Sequence, residues 1–166
     1  IYSTFYAGMD STTVSCIDVD DQGQVYITGR TRDGALPLTE DAYQTEHRGS
    51  WDVYVTKFNA QGSDLIFSTF FGGTDDDHGN AITATRDGGA CVVGRSESGD
   101  LYSMMNYTVY DPPTDYSNAF IISVDEEGKN ANYVSVFGGM MGDLPSEVYL
   151  ESNGDAVIYG RTDSDD

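Results

Sequence analysis

The chain has 166 residues and a formal net charge of −20, from 28 acidic and 8 basic side chains. Such a charge repels phosphate backbones and anionic lipid surfaces, and so argues against a nucleic-acid-binding protein. No apolar run approaches the roughly 18 residues of a membrane-spanning helix, so no membrane insertion is predicted. With 19 Gly, 12 Tyr and 7 Phe and little helix-favouring sequence, the composition predicts an all-β protein.

Three phrases recur in a fixed order along the chain. STFYAG at 3–8 returns as STFFGG at 68–73 and, more weakly, as SVFGG at 135–139. DVYVTKFNAQG at 52–62 matches NAFIISVDEEG at 118–128. A turn glycine, an apolar strand and a closing Gly-Arg are shared by DQGQVYITGR (21–30), RDGGACVVGR (86–95) and SNGDAVIYGR (152–161). Self-similarity with a period near 65 residues indicates a repeat architecture.

Each period divides into four short strands. In the middle copy we expect strands at about 80–85, 90–95, 119–125 and 131–137, with tight turns at 86–89 and 125–129. A loop of about 22 residues separates the second strand from the third, and loops of that length are usually functional or packing excursions. Because runs such as AFIIS and ACVV are apolar on both faces, they favour sheets stacked face to face, as in four-stranded propeller blades.

The strand count predicts an incomplete β-propeller. We expect the last strand of a preceding blade in 1–8, one blade in 9–73, a second in 74–139 and the first half of a third in 140–166. With a fourth strand placed at 1–6, the total is 11 strands, which is not a multiple of four. The chain is therefore predicted to be a fragment of a longer propeller, with its other blades supplied by the same polypeptide or by other subunits.

The sequence resembles a known propeller repeat. DAYQTEHRGSWDVYVTKFNAQGSDLIFSTFFGG (41–73) and DQGQVYITGRT (21–31) are similar to the SBBP repeat of large secreted and cell-surface bacterial proteins, and more distantly to the NHL repeat. The resemblance is strongest over 42–95 and fades after Leu101. It implies propeller blades and a secreted or cell-surface location in bacteria. It carries no established catalytic set, so function must be argued from the sites.

Three consecutive acidic residues, Asp75, Asp76 and Asp77, follow the glycines of the middle copy. Two interpretations stay open. The carboxylates could bind Ca²⁺, which takes six to eight oxygen ligands, more than this loop shows. Alternatively, they accept hydrogen bonds from backbone N–H groups in the turn before the next strand. No other cofactor is predicted.

Three of the six arginines, Arg30, Arg95 and Arg161, occupy one repeat position at the end from which the long loop departs. We predict a structural role between blades, in which each guanidinium pairs with an acidic group of its own or a neighbouring blade. The alternative is plain exposure to solvent.

Aromatic residues of the long loops are the candidate ligand-binding residues. Trp51, Tyr43, Tyr102 and Tyr110 lie in or beside these loops, and exposed rings near carboxylates suit sugar faces and protein partners. Alternatively, the rings fold back over the blade edges as a satellite core.

No catalytic motif is found. The two histidines, His47 and His78, are expected in different loops, and the chain lacks nucleophile, phosphate-binding and zinc-protease signatures. Cys16 and Cys91 are expected to be free thiols in apolar strands. We therefore expect a non-enzymatic structural, adhesion or protein-interaction module. A carbohydrate-binding propeller is the alternative, and a propeller hydrolase or lyase is a third possibility.

Overall fold

The computed structural model describes residues 3–104 and 117–165, and these form an all-β fold, as predicted. Apart from one short 3-10 helix at Gly99–Met104, the described elements are strands, and none is a helix of membrane-spanning length and hydropathy. The ten strands are β1 (Thr12–Val19), β2 (Val25–Thr31), β3 (Asp52–Phe58), β4 (Leu65–Phe71), β5 (Asp77–Ala84), β6 (Ala90–Ser96), β7 (Asn118–Val124), β8 (Ala131–Phe137), β9 (Asp143–Leu150) and β10 (Ala156–Thr162).

The strands form two four-stranded antiparallel sheets and one hairpin. The first sheet has the order β1-β2-β3-β4, the second has the order β5-β6-β7-β8, and β9 pairs with β10. The turns from β1 to β2, from β5 to β6 and from β9 to β10 each contain a glycine with positive φ, namely Gly23, Gly88 and Gly154. Glycine adopts this left-handed conformation at little cost, so these turns close tightly.

A β-bulge accompanies the glycine of each Gly-Arg pair. The register shifts at this point between β1 and β2, between β5 and β6, and between β9 and β10. A methyl group at Gly29 or Gly94 would lie 1.9 Å from a carbonyl oxygen of the preceding strand, and one at Gly160 would lie 2.2 Å away. Only glycine allows the two backbones to approach so closely, which explains its recurrence at this position.

The sheets stack in chain order. One core cluster joins the first sheet to the second, and within it the rings of Phe71 and Phe120 lie 5.0 Å apart. A second cluster joins the opposite face of the second sheet, through Cys91 and Val93, to Val148 of β9. The second sheet is therefore buried on both faces, which accounts for its runs of consecutive apolar residues.

Residues 3–6, predicted to belong to the last strand of a preceding blade, pair with no strand of the described chain. The partner strands of that blade would lie outside this chain, so the division at 1–8 stays a prediction. Tyr6 instead covers the outer face of the first sheet, where its ring meets Phe58 edge to face at 5.4 Å. Its hydroxyl lies 2.7 Å from Ser68 Oγ. The described strands consequently number ten rather than 11.

Both cysteines are free thiols. Cys91 is fully buried between the second sheet and the hairpin, and burial raises the pKa of its thiol to about 11. Cys16 is only partly buried. Packing rather than covalent cross-linking therefore stabilises this fold.

Candidate functional site

One end of the stacked sheets is built by a hydrogen-bond pattern that occurs three times. We call this end the rim. It comprises the loop before each first strand, the start of that strand, the last residues of each second strand with those that follow, and the residue before each third strand. In each copy, a side chain just after the second strand (β2, β6 or β10) accepts a hydrogen bond of 2.8 to 2.9 Å. The donor is a backbone N–H of the loop before the first strand of the same copy (β1, β5 or β9, respectively). The pairs, with the donor first, are Asp10–Asp33, Asp75–Ser98 and Met141–Ser164.

A second bond in each copy fixes the accepting residue. The backbone N–H groups of Asp33, Ser98 and Ser164 each donate, at 3.0 Å, to the hydroxyl of the last residue of the preceding strand. In the first copy the pKa of Asp33 is lowered, mainly by the hydrogen bond from the Asp10 amide. The rim thus has the same local construction at three places along the chain.

A cluster of arginines and aromatic rings lies on this rim, and we call it the Arg–Trp cluster. Its members are Arg30, Arg32, Trp51, His78 and Arg95. The guanidinium carbons of Arg30 and Arg32 lie 4.3 and 4.6 Å from the Trp51 ring centroid. Nη1 of Arg30 lies 2.9 Å from His78 Nε2, and Nη2 of Arg95 lies 3.4 Å from His78 Nδ1. The cluster therefore spans the first and second sheets.

Backbone pairing holds the cluster in place. Arg30 belongs to β2, whereas His78 and Arg95 are directly opposite one another on β5 and β6. Trp51 immediately precedes β3, and its carbonyl oxygen accepts a 2.7 Å hydrogen bond from the N–H of Asp77, the first residue of β5. Since strands rather than loop tips carry most of these side chains, the arrangement is rigidly supported.

His78 is neutral at physiological pH. Burial lowers its pKa to about 4, and the positive charges of Arg95 and Arg30 act in the same direction. The prediction that His78 lies in a loop is wrong, because β5 extends through it to Asp77. His47 does lie in the loop between β2 and β3, half-buried, with Nε2 3.0 Å from the Thr31 carbonyl oxygen.

The three equivalent arginines have different partners. Arg161 donates from Nε and Nη2 to one carboxylate oxygen of Asp163, at 2.9 and 2.7 Å. Arg95 lies 4.0 Å from Glu97. Arg30 has no acidic partner within 4.0 Å among the described residues, and contacts the second sheet through His78 instead.

Two buried carboxylates adjoin the cluster in sequence, Asp52 next to Trp51 and Asp77 next to His78. Asp52 accepts hydrogen bonds from the amides of Arg48 and Gly49, at 2.8 and 3.0 Å. Oδ2 of Asp77 accepts from the Gly73 amide, at 2.8 Å. Both side chains are fully buried, and a methyl group at Gly72 would lie 2.9 Å from an oxygen of each. Burial raises the pKa of both, that of Asp77 to about 7.

The three consecutive aspartates do not form one group. Asp77 accepts backbone and hydroxyl hydrogen bonds, which is the capping arrangement. Asp75 is exposed, and the Asp76 carbonyl oxygen accepts from the Glu97 amide. Over residues 3–104 and 117–165 no three His, Cys, Asp or Glu side chains gather as metal ligands. Calcium binding here stays a prediction, under which a chelator would lower the melting temperature.

Of the candidate ligand-binding aromatics, Tyr43 and Trp51 are described in full. Tyr43 is half-buried against the core between the two sheets, and its amide donates to the Gly128 carbonyl oxygen at 2.8 Å. It also lines a cavity of about 260 Å³ with Gln44, Thr45, Glu46 and Arg48. The side chain of Tyr102 and the whole of Tyr110 lie outside the described residues.

The buried Asp77 should make stability depend on pH. Its pKa is about 7 in the folded chain and 3.8 ordinarily, so between about pH 4 and about pH 7 the folded chain retains a proton that the unfolded chain has lost. Stability from this group therefore falls as pH rises through that window. Urea unfolding gives the free energy of unfolding of the wild type and of Asp77→Asn at each pH. The wild-type value minus the variant value should fall from about pH 4 to about pH 7 and level off above pH 7. A difference that is flat or rises with pH would contradict this assignment.

The chain matches no protein-family model and no curated protein. The resemblance to the SBBP repeat therefore stays a prediction. The Arg–Trp cluster, with its supporting rim bonds, is the candidate site on which a functional proposal can be based.

Proposed function

We propose that this chain is a non-enzymatic, propeller-type module that binds other proteins through its rim. Two structural features support the proposal. Apolar faces of successive sheets pack against one another, and the rim is built in the same way at three places. A stack of this kind is a rigid support for side chains at one end. Secretion or surface display, suggested by the repeat resemblance, is part of the same proposal.

The observation that carries the proposal is the Arg–Trp cluster. Tryptophan and arginine are the residues most enriched at the energetic centres of protein interfaces. Here three arginines gather around Trp51 and His78 on a chain with only 8 basic residues. His78 is poorly suited to act as a general base at neutral pH, because a histidine with a pKa of about 4 removes protons poorly at that pH.

Binding arrays test the interaction role. The folded chain and its Trp51→Ala variant are labelled and applied to an array of varied peptides and to an array of glycans. We expect wild-type binding to a subset of peptides and at least about tenfold weaker binding by the variant, or about 1.4 kcal/mol. Phe5→Ala, which removes an aromatic side chain that is 91% exposed, is the matched control and should bind as the wild type does. Peptide binding that Trp51→Ala does not reduce would contradict the proposal.

Carbohydrate binding is the second candidate function. The cavity beside Tyr43 favours it, because that cavity combines an aromatic ring with amide, hydroxyl, carboxylate and guanidinium groups. If this alternative holds, the same experiment gives glycan binding, and substitution of Tyr43 by alanine reduces it. Binding to peptides without binding to glycans would eliminate it.

A further inference from the structure

One sequence position distinguishes the first copy of the rim from the other two. The residue two places after the repeated arginine is Glu97 in the second copy and Asp163 in the third, but Arg32 in the first. At the third copy the acidic residue receives two guanidinium hydrogen bonds. The first copy therefore has a second positive charge where the third has the carboxylate partner of its arginine.

The first copy also differs from the second by a tryptophan beside its two arginines. Trp51 occupies the position before β3, and both Arg30 and Arg32 lie against it. The equivalent residue before β7 is Ser117. The first copy thus combines two arginines and a tryptophan, whereas the second combines an arginine, a glutamate and a serine.

Among the described residues, the three guanidinium groups of the cluster make few direct contacts with carboxylates. Within the described part of the chain, the only carboxylate within 4.0 Å of any of them is that of Glu97, which lies 4.0 Å from Arg95. Gathering like charges costs free energy, and an arriving anion would recover it. The planar guanidinium fork matches a carboxylate in particular.

We propose that Arg30, Arg32 and Trp51 form a binding site for a glutamate or aspartate side chain of a partner protein. The bound carboxylate would contact Arg30 as Asp163 contacts Arg161. This inference rests on the proposed interaction role and specifies the chemistry of the partner.

The net charge favours an acidic side chain over an extended polyanion. A chain of charge −20 repels a long anion over its whole length. A single carboxylate in contact with two arginines interacts mainly with those charges, because others more than about 8 Å away are screened at physiological salt. A short peptide segment with one or two acidic residues meets this requirement.

The chain contains one tryptophan, so its fluorescence reports on this site directly. The probe is a blocked pentapeptide in which two glutamates alternate with glycines, and its control is the same peptide with glutamines. We expect the glutamate peptide to change Trp51 emission saturably and the glutamine peptide to leave it unchanged. No saturable change, or equal effects of both peptides, would overturn the proposal.

The variant Arg32→Glu recreates the arrangement of the other two copies and places an acidic side chain beside Arg30. We expect it to weaken binding of the glutamate peptide at least about tenfold. Lys129→Glu produces the same change in net charge at an exposed residue of the β7–β8 turn and should bind as the wild type does. Equal binding by Arg32→Glu and the wild type, or equal weakening in both variants, would overturn the proposal.

Two further results separate this inference from the proposed function. If the array shows that the wild type binds only neutral or basic peptides, and that Trp51→Ala weakens this binding, the acidic-partner inference fails and the interaction role stands. If glucuronate changes Trp51 emission saturably and the glutamate peptide does not, the ligand is an acidic sugar and the peptide proposal is wrong.

Discussion

Replacement of Phe120 by alanine is expected to destabilise the fold by about 3–5 kcal/mol, the usual cost of removing a buried phenylalanine. Phe120 is fully buried on β7, and its ring lies 5.0 Å from that of Phe71 in the first sheet. The substitution would leave a cavity at the junction of the two sheets. Urea unfolding followed by circular dichroism measures the loss.

Phe5→Ala is the matched control, because Phe5 is 91% exposed. We expect that substitution to change stability by less than about 0.5 kcal/mol. If Phe120→Ala cost no more than Phe5→Ala, the two sheets would not share the packed core described above.

The second large effect is expected at Gly94, in the bulge between β5 and β6. A methyl group there would lie 1.9 Å from the His78 carbonyl oxygen and 2.6 Å from Cζ of Phe120. The first contact is with backbone, so relief requires movement of a strand. We expect Gly94→Ala to cost about 3 kcal/mol, at the upper end of the usual cost of overpacking, measured by the same urea unfolding.

Gly34→Ala serves as the comparison for Gly94→Ala. Its methyl group would lie 3.5 Å from the nearest atom, the His47 Cβ, which is ordinary van der Waals contact. We expect a change of less than about 0.5 kcal/mol. A Gly94→Ala variant as stable as Gly34→Ala would show that the two strands do not approach as closely as described.

Most strands were predictable because apolar runs bounded by turn glycines define them. The predicted strands at 90–95 and 131–137 agree with β6 and β8 to within a residue. The start of β5 was placed three residues late, since a bulge interrupts its alternation and the polar pair Asp77 and His78 precedes it. Residues 3–6 repeat the phrase of a strand, but pairing depends on a neighbour that sequence similarity does not supply.

The site was only partly predictable. The repeat placed Arg30, Arg95 and Arg161 at one position, but their partners depend on contacts between sheets and on the residue two places further on. Comparison of the copies could have identified Arg32 as the exception to an acidic position. The contact between Arg30 and His78 joins residues 48 apart and follows only from the stacking of the sheets.

The fold explains how an acidic chain can maintain a cationic cluster. The bulge glycines bring the first two strands of each sheet together, and the rim bonds fix the loops that follow. Arg30 and His78 are thereby held in adjacent sheets, and the buried Asp77 precedes His78 in β5. Binding at such a preformed site loses little conformational entropy.

The rigidity of the rim, which is built alike at three places, is tested most directly by amide hydrogen exchange measured by NMR. Asp10, Asp75 and Met141 are all exposed loop residues, yet their amides donate hydrogen bonds within the rim. We predict slow exchange at all three, and fast exchange at Glu46, an exposed loop residue whose amide has no hydrogen-bond acceptor among the described residues. Exchange at the three rim amides as fast as at Glu46 would show that the rim hydrogen bonds do not hold these loops.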